Sequence, residues 1–148
     1  VIPSICRVTY DRRLLPGERA DDVLGAIAGA PELGDIQLRA VIGDGTYRAF
    51  TGVEVVHNKF FPAWLFAEED PFVEAALRGI GAAGLTPRSR AYRFCTNAAY
   101  RAGVAGVPYV GFGPADEHDA QIVDERLLVA DLLAAPQGYQ AIIEAALD

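Results

Sequence analysis

A histidine surrounded by carboxylates is the feature of this chain that most suggests chemistry. His118 lies in an acidic loop between an apolar, strand-like run and the last helix-like segment. The acids of that loop are Asp116, Glu117, Asp119, Asp124 and Glu125. Imidazole and carboxylate groups can bind a divalent metal together. A solvated acidic loop explains the same residues without a ligand, and on this pattern alone it is the favoured interpretation.

Other residues could bind anions. Arg13, in the run Asp-Arg-Arg, could grip a carboxylate with two parallel hydrogen bonds or could belong to a surface salt-bridge cluster. Thr96 and Asn97 open a short helix whose free N–H groups could hold an anion, although simple capping accounts for them too. His57 has no partner at ligand spacing and is interpreted as structural.

Composition narrows the class of protein. The 148 residues are 51% hydrophobic and carry a net charge of −7, which is typical of a globular protein and argues against nucleic-acid and anionic-membrane partners. No apolar run approaches the ~20 residues that span a bilayer, and no signal peptide is visible. Cys6 and Cys95 form no metal-binding motif and are expected to be reduced, buried thiols.

Two sets of elements must position these residues. Alternating apolar residues predict strands at 4–13 and 36–42 and a weaker strand at 47–56, with a helix from about residue 21 to Pro31 and a turn at 43–45. The first set is therefore a β-α-β-β open sheet with a helix on one face. An aromatic, proline-containing linker follows at 57–71.

The second set is predicted as α-β-α-β-α. Asp70 is a helix cap with Pro71 at the first helical position, and Gly84 closes that helix. The remaining predicted elements are a strand at 91–95, a short helix ending near Gly103, a buried strand at 107–112, and a helix at 129–147 that Pro136 kinks or splits. The fold class is α/β, with domains at 1–66 and 67–148.

Three stretches of the chain resemble one enzyme family. They are "IPSICRVTYDRRLLPGE", "YRFCTNAAYRAGVAGVPYVGFGP" and "DAQIVDERLLVADLL". In this order and spacing they are similar to segments of the aminoacylase, succinyl-diaminopimelate desuccinylase and carboxypeptidase G family of dinuclear zinc hydrolases. The resemblance implies that residues 1–66 are half of a lid domain that mediates dimerisation, and that 67–148 are the last segment of the catalytic domain. The chain has no methionine and opens in strand-like sequence, so we expect a missing N-terminal portion.

The resemblance also implies chemistry. Members of the family use two zinc ions and a glutamate base to activate water for amide hydrolysis. The last zinc ligand is a histidine in "AHxxxE", and Gln121 stands at that position here, with His118 as a possible substitute. The other ligands and the base would precede this chain. Arg13 matches the arginine that binds the substrate carboxylate, and Thr96 and Asn97 match an anion-binding turn.

Two hypotheses of function follow. The first is the C-terminal portion of a cytoplasmic, metal-dependent amidohydrolase or peptidase for small N-acyl amino acids or dipeptide-like substrates, inactive alone. The second is a non-catalytic, truncated or degenerate relative that serves as a dimerisation or interaction module. Val107, Val110, Phe112 and Phe94 are expected to form an uncovered apolar face. The expected partners are therefore a second copy or an N-terminal segment.

Overall fold

The computed structural model describes residues 3–148 in two compact units, the first ending at Ala63 and the second spanning Trp64–Asp148. This division falls close to the boundary predicted after residue 66. Helices and a two-stranded sheet together confirm the mixed α/β class. None of the helices in the described range has the length and apolar character needed to cross a bilayer.

The first unit holds one helix and one β-hairpin. Helix α1 covers Ala20–Ala28, as the helical spacing predicts, and a 3₁₀ turn covers Pro31–Leu33. Strands β1 (Asp44–Arg48) and β2 (Glu54–Asn58) pair antiparallel. The chain reverses at Gly52, whose N–H donates to the Ala49 carbonyl at 2.9 Å. Gly52 has φ +87°, a conformation that strongly favours glycine.

Several predictions for the first unit are wrong. Residues 4–13 and 36–42 form no strand, because a strand needs a hydrogen-bonded neighbour and the only ladder of the described chain joins β1 to β2. Ile5 and Tyr10 are each 82% exposed, so their alternation does not reflect a half-buried strand. Residues 44 and 45 belong to β1 rather than to a turn.

The second unit is helical. Helix α2 covers Pro71–Ala82, α3 covers Ala98–Arg101, and α4 covers Val129–Leu147, with a 3₁₀ turn at Glu117–Asp119. The predicted cap of α2 is confirmed, because Asp70 Oδ1 accepts the Phe72 N–H at 2.9 Å. Gly84, beyond the end of α2, has φ +75°, as a glycine that closes a helix should.

Small residues bring α2 and α4 together. A Cβ on Gly79 would lie 2.7 Å from the Ala141 carbonyl carbon and 2.9 Å from the Ile142 nitrogen, so the backbones meet where glycine leaves room. On α4, Gly138 gives similar room to the Phe112 ring. The buried residues are Ala75, Ala76, Gly79, Ala98, Ala99, Ala102, Ala135, Gly138 and Ile142.

The predicted strands of the second unit are also absent. Residues 91–95 and 107–112 have no ladder, the chain bends at residues 93 and 94, and Val107 is 43% exposed where a buried strand was expected. The N–H of Arg93 donates instead to Glu117 Oε1 at 2.8 Å. Pro136 was predicted to kink or split this helix; the helix runs unbroken through Pro136, so it is not split in two.

Both cysteines are free, as predicted, but both are exposed rather than buried. Each belongs to a segment that was predicted as a strand and has no ladder, which explains their exposure. The Cys95 thiol contacts the Thr96 carbonyl, with 3.6 Å between sulfur and oxygen.

Candidate functional site

The acidic loop contains a compact pair of side chains. Asp116 precedes the 3₁₀ turn Glu117–Asp119, and its Oδ1 accepts the His118 backbone N–H at 2.9 Å. The same oxygen lies 2.8 Å from His118 Nδ1. One carboxylate oxygen therefore contacts both the backbone and the ring of His118, whose side chain is 80% exposed.

This geometry sets the ionisation of Asp116. Its pKa is lowered first by the backbone N–H of His118, then by the hydrogen bond to the imidazole and by the positive charges of His118 and Arg90. All of these favour the ionised carboxylate. An ionised Asp116 fixes the imidazole in one orientation, as an outer partner does for a metal-bound histidine. Sequence reasoning did not identify Arg90, and nothing in its spacing indicates this role.

Gln121 lies in a tight turn just after that pair. Gln121 and Asp124 have φ of +60° and +62°, a left-handed conformation that costs a residue with a side chain about 1 kcal/mol. The Gln121 N–H donates to Glu125 Oε2 at 3.1 Å, which closes the turn on itself. The Gln121 side chain is exposed and is not part of the His118–Asp116 pair.

Two of the surrounding acids have partners of their own. Glu117 accepts the Arg93 N–H, and Asp119 Oδ1 lies 3.6 Å from Arg126 Nε. Within residues 3–148, no three side chains of His, Cys, Asp or Glu are placed to share a metal ion. One histidine with one carboxylate is a poor donor set for zinc, which prefers three or four protein ligands, so these residues do not fit a dinuclear zinc centre.

The three predicted substrate-binding residues, Thr96, Asn97 and Arg13, are all exposed. Thr96 Oγ1 accepts the Ala98 N–H at 3.1 Å, so the threonine caps α3 in the way its position predicts. Asn97 makes no side-chain capping bond. In the first unit, Arg13 Nη2 lies 3.7 Å from Asp11 Oδ2, a long contact between exposed groups that leaves the guanidinium accessible. His57 lies in β2 opposite Gly45.

An aromatic cluster in the second unit was missed by sequence reasoning. Tyr92 stacks on Phe94 with 4.6 Å between ring centroids, and Tyr139 Oη donates to the Phe112 carbonyl at 2.7 Å. Burial, followed by the neighbouring Tyr139 and Glu117, raises the pKa of Tyr92. The contact between Tyr139 and Phe112 joins residues that are 27 positions apart, so no local pattern could have shown it.

The fold therefore defines a mixed α/β protein with an exposed His–Asp pair beside an acidic turn. No protein-family profile matches the chain, and no solved structure matches it. Two curated proteins do: each is named "Uncharacterized protein YgeY", one from Escherichia coli strain K12 and one from E. coli O157:H7. Each is 32% identical to the chain over 145 residues, which is 95% of this chain. The chain spans 35% of the length of these relatives.

Proposed function

We propose that the chain is the C-terminal portion of a metal-dependent amidohydrolase or peptidase for small N-acyl amino acids or dipeptide-like substrates, and that it is inactive alone. The observation that carries this proposal is the order and spacing of the three family-like stretches along the chain. Similarity over 145 residues to proteins nearly three times as long supports it, because a portion of a longer protein should match a relative in this way.

The segments without a ladder also support this parentage. Residues 4–13, 36–42 and 107–112 lack a ladder, yet they carry exposed apolar side chains such as Ile5, Leu38 and Val107. An extended segment becomes a strand only when a neighbour supplies hydrogen bonds. In the proposed parent, strands from the rest of the chain flank these segments, and they complete a lid at 1–66 and a catalytic domain at 67–148.

Each site residue has a role in this proposal. Arg13 grips the free carboxylate of the substrate, which its exposed guanidinium suits. Thr96 and Asn97 form a turn that holds an anionic group of the substrate. Gln121 stands where the family has its last zinc ligand, and the other ligands and the general base lie outside this chain. We place the whole enzyme in the cytoplasm.

A non-catalytic module is the second candidate. The observation that favours it is the number of large apolar side chains that remain exposed on the second unit, including Leu128, Leu133 and Leu147. Apolar area of that extent marks an interaction surface. A degenerate relative with glutamine at a ligand position would keep such a surface while it lost catalysis.

Zinc content and hydrolysis by the 148-residue chain test the first proposal. We expect no tightly held pair of zinc ions and no hydrolysis of N-acetyl amino acids, because the donor set is incomplete. Mass spectrometry of the metal, together with a release assay for free amino acids, measures both. Two equivalents of tightly bound zinc with turnover by the chain alone would overturn the proposal.

Restoring a histidine tests the position assigned to Gln121. In the longer parent protein, Gln121→His should raise zinc affinity at least about tenfold, because imidazole replaces a weak amide donor. Gln137→His, at an exposed position on α4, is the matched control and should change nothing. Equal affinities for the two variants would refute the assignment of Gln121 to the ligand position.

A further inference from the structure

Helix α4 has two different faces. One face is made of small residues and Ile142, and it packs against α2. The other face is aliphatic and exposed, and it carries Val129, Leu132, Leu133, Pro136, Ile143 and Leu147. With 3.6 residues per turn, these six positions fall along one side of the helix, opposite the buried face. We call this set the aliphatic stripe.

The aliphatic stripe runs almost the whole length of α4. From Val129 to Leu147 it extends about 27 Å at 1.5 Å per residue. Gln140 is the one polar residue near its centre, and its side chain is bonded to Glu144 at 2.7 Å. A continuous apolar line of this length on a helix that is already packed on its other side calls for a second covering surface.

The stripe is complementary to itself when it is reversed. If two copies of α4 lie antiparallel, Val129 faces Leu147 of the second copy, Leu133 faces Ile143, and Pro136 faces Gln140. We propose that two copies of this chain associate through the aliphatic stripe of α4 in this antiparallel register. Val129, Leu133, Ile143 and Leu147 then meet aliphatic partners, Leu132 lies level with Glu144 of the second copy, and the centre pairs a proline with an amide.

Charge also favours the antiparallel register. Helix α4 contains acids but no basic residue, so copies packed in parallel would place the two Glu144 carboxylates side by side. In the antiparallel register they lie about 18 Å apart along the axis, which exceeds the screening length of about 8 Å at physiological salt. Asp131 projects from the opposite side of the helix, away from the stripe.

The buried area sets the expected strength. Six side chains at roughly 80 Å² each bury about 500 Å² per copy, or about 1,000 Å² in total. That total is near the lower limit for a specific interface, and interfaces of this size are typically weak. We therefore expect a reversible dimer with a dissociation constant in the micromolar range. The inference does not depend on the hydrolase parentage proposed above.

Sedimentation equilibrium of the full chain tests the surface. Leu133→Glu should weaken dimerisation at least about 100-fold, since each dimer would then bury two unpaired charges. Leu15→Glu is the matched control, because Leu15 and Leu133 are equally exposed at 68% and the substitution is the same. Leu15→Glu should leave dimerisation unchanged, and circular dichroism should show that both variants keep their helices.

Two results would overturn the surface assignment. One is a wild-type chain that stays monomeric at several hundred micromolar, which would mean that something other than a second copy covers the stripe. The other is a Leu133→Glu variant that dimerises as tightly as the wild type.

Disulfide trapping tests the register. In a Cys6→Ser, Cys95→Ser background, a mixture of Leu133→Cys and Ile143→Cys chains should cross-link on mild oxidation, because these positions face each other. Neither variant alone should do so, since its own two cysteines would lie about 15 Å apart along the axis, beyond the reach of a disulfide. Cross-linking of Leu133→Cys alone as strong as in the mixture would refute the antiparallel register.

Discussion

The two units of the chain differ in how much they bury. In the second unit, alanine, glycine and one isoleucine are buried where α2 meets α4 and around α3. In the described part of the first unit, no residue is buried, and a helix, a hairpin and irregular segments keep their side chains at least partly in water. Close helix packing therefore stabilises the second unit, while the first relies on local hydrogen bonds.

The largest expected effect comes from filling the gap at Gly79. Gly79→Ala should lower the free energy of unfolding of the second unit by about 3 kcal/mol, because the new methyl meets the backbone of α4. Urea denaturation followed by the fluorescence of Trp64, which belongs to that unit, measures the loss.

Gly25→Ala is the matched control in the first unit. A Cβ on Gly25 meets nothing within 4 Å, so this change should stabilise α1 by about 0.5–1 kcal/mol through helix propensity. If Gly79→Ala did not lower the free energy of unfolding, the proposed difference in packing between the two units would be contradicted.

The helix caps give a smaller effect. Asp70→Ala should cost about 1 kcal/mol, because the Phe72 N–H loses its acceptor, whereas Asp70→Asn keeps an acceptor and should cost much less. Arg19 caps α1 without a side-chain bond, so Arg19→Ala should stay within about 0.5 kcal/mol of the wild type. Thermal unfolding by circular dichroism measures all three, and an Asp70→Ala chain as stable as the wild type would contradict the assigned cap.

The smallest expected effect is the loss of stability in acid, which compares one carboxyl group from each unit. The pKa of Glu18 is lowered most by a hydrogen bond from the backbone N–H of Leu15. The pKa of Asp116 is lowered most by a hydrogen bond from the backbone N–H of His118. The side chains of Arg12 and His118 lower these pKa values further. Because each pKa is lowered in the folded state, the stabilisation is present above about pH 4 and is lost as the pH falls through the folded pKa.

Removing the side-chain partners tests that order of causes. Arg12→Ala and His118→Ala should each raise the pKa of the neighbouring carboxyl only part of the way to its ordinary value, because the backbone N–H remains. Carboxyl-carbon NMR across pH 2 to 6 measures the shift. A complete return to the ordinary value in either variant would mean that the side chain, not the backbone, dominates.

Local chemistry was predictable from the sequence, and pairing between distant segments was not. Asp70, Pro71 and Gly84 act on neighbouring residues, so their types alone predict where α2 begins and ends. The alternation of residues 4–13 also has a clear pattern, but a strand depends on a partner that the sequence cannot name. The hairpin was missed because residues 43–45 look like a turn, whereas the chain reverses at Gly52.

The site shows the same limit. His118 and its acids could be identified from residue type, but not that one oxygen of Asp116 would hold both the backbone and the ring of the histidine. The left-handed turn at Gln121 and Asp124 contains no glycine, so no composition signal marked it. The contact between Arg93 and Glu117 uses a backbone N–H, which every residue but proline has, and so leaves no trace in the sequence.

Pro136 has a consequence for any surface that covers α4. Proline has no N–H, so the carbonyl of Leu132, one turn earlier, loses the donor that a regular helix would give it. That oxygen belongs to a residue of the exposed face and draws hydration there. A partner that packs closely against α4 must therefore supply a hydrogen-bond donor to the Leu132 carbonyl or leave a water molecule bound to it. The middle of this otherwise apolar helix face therefore stays hydrated.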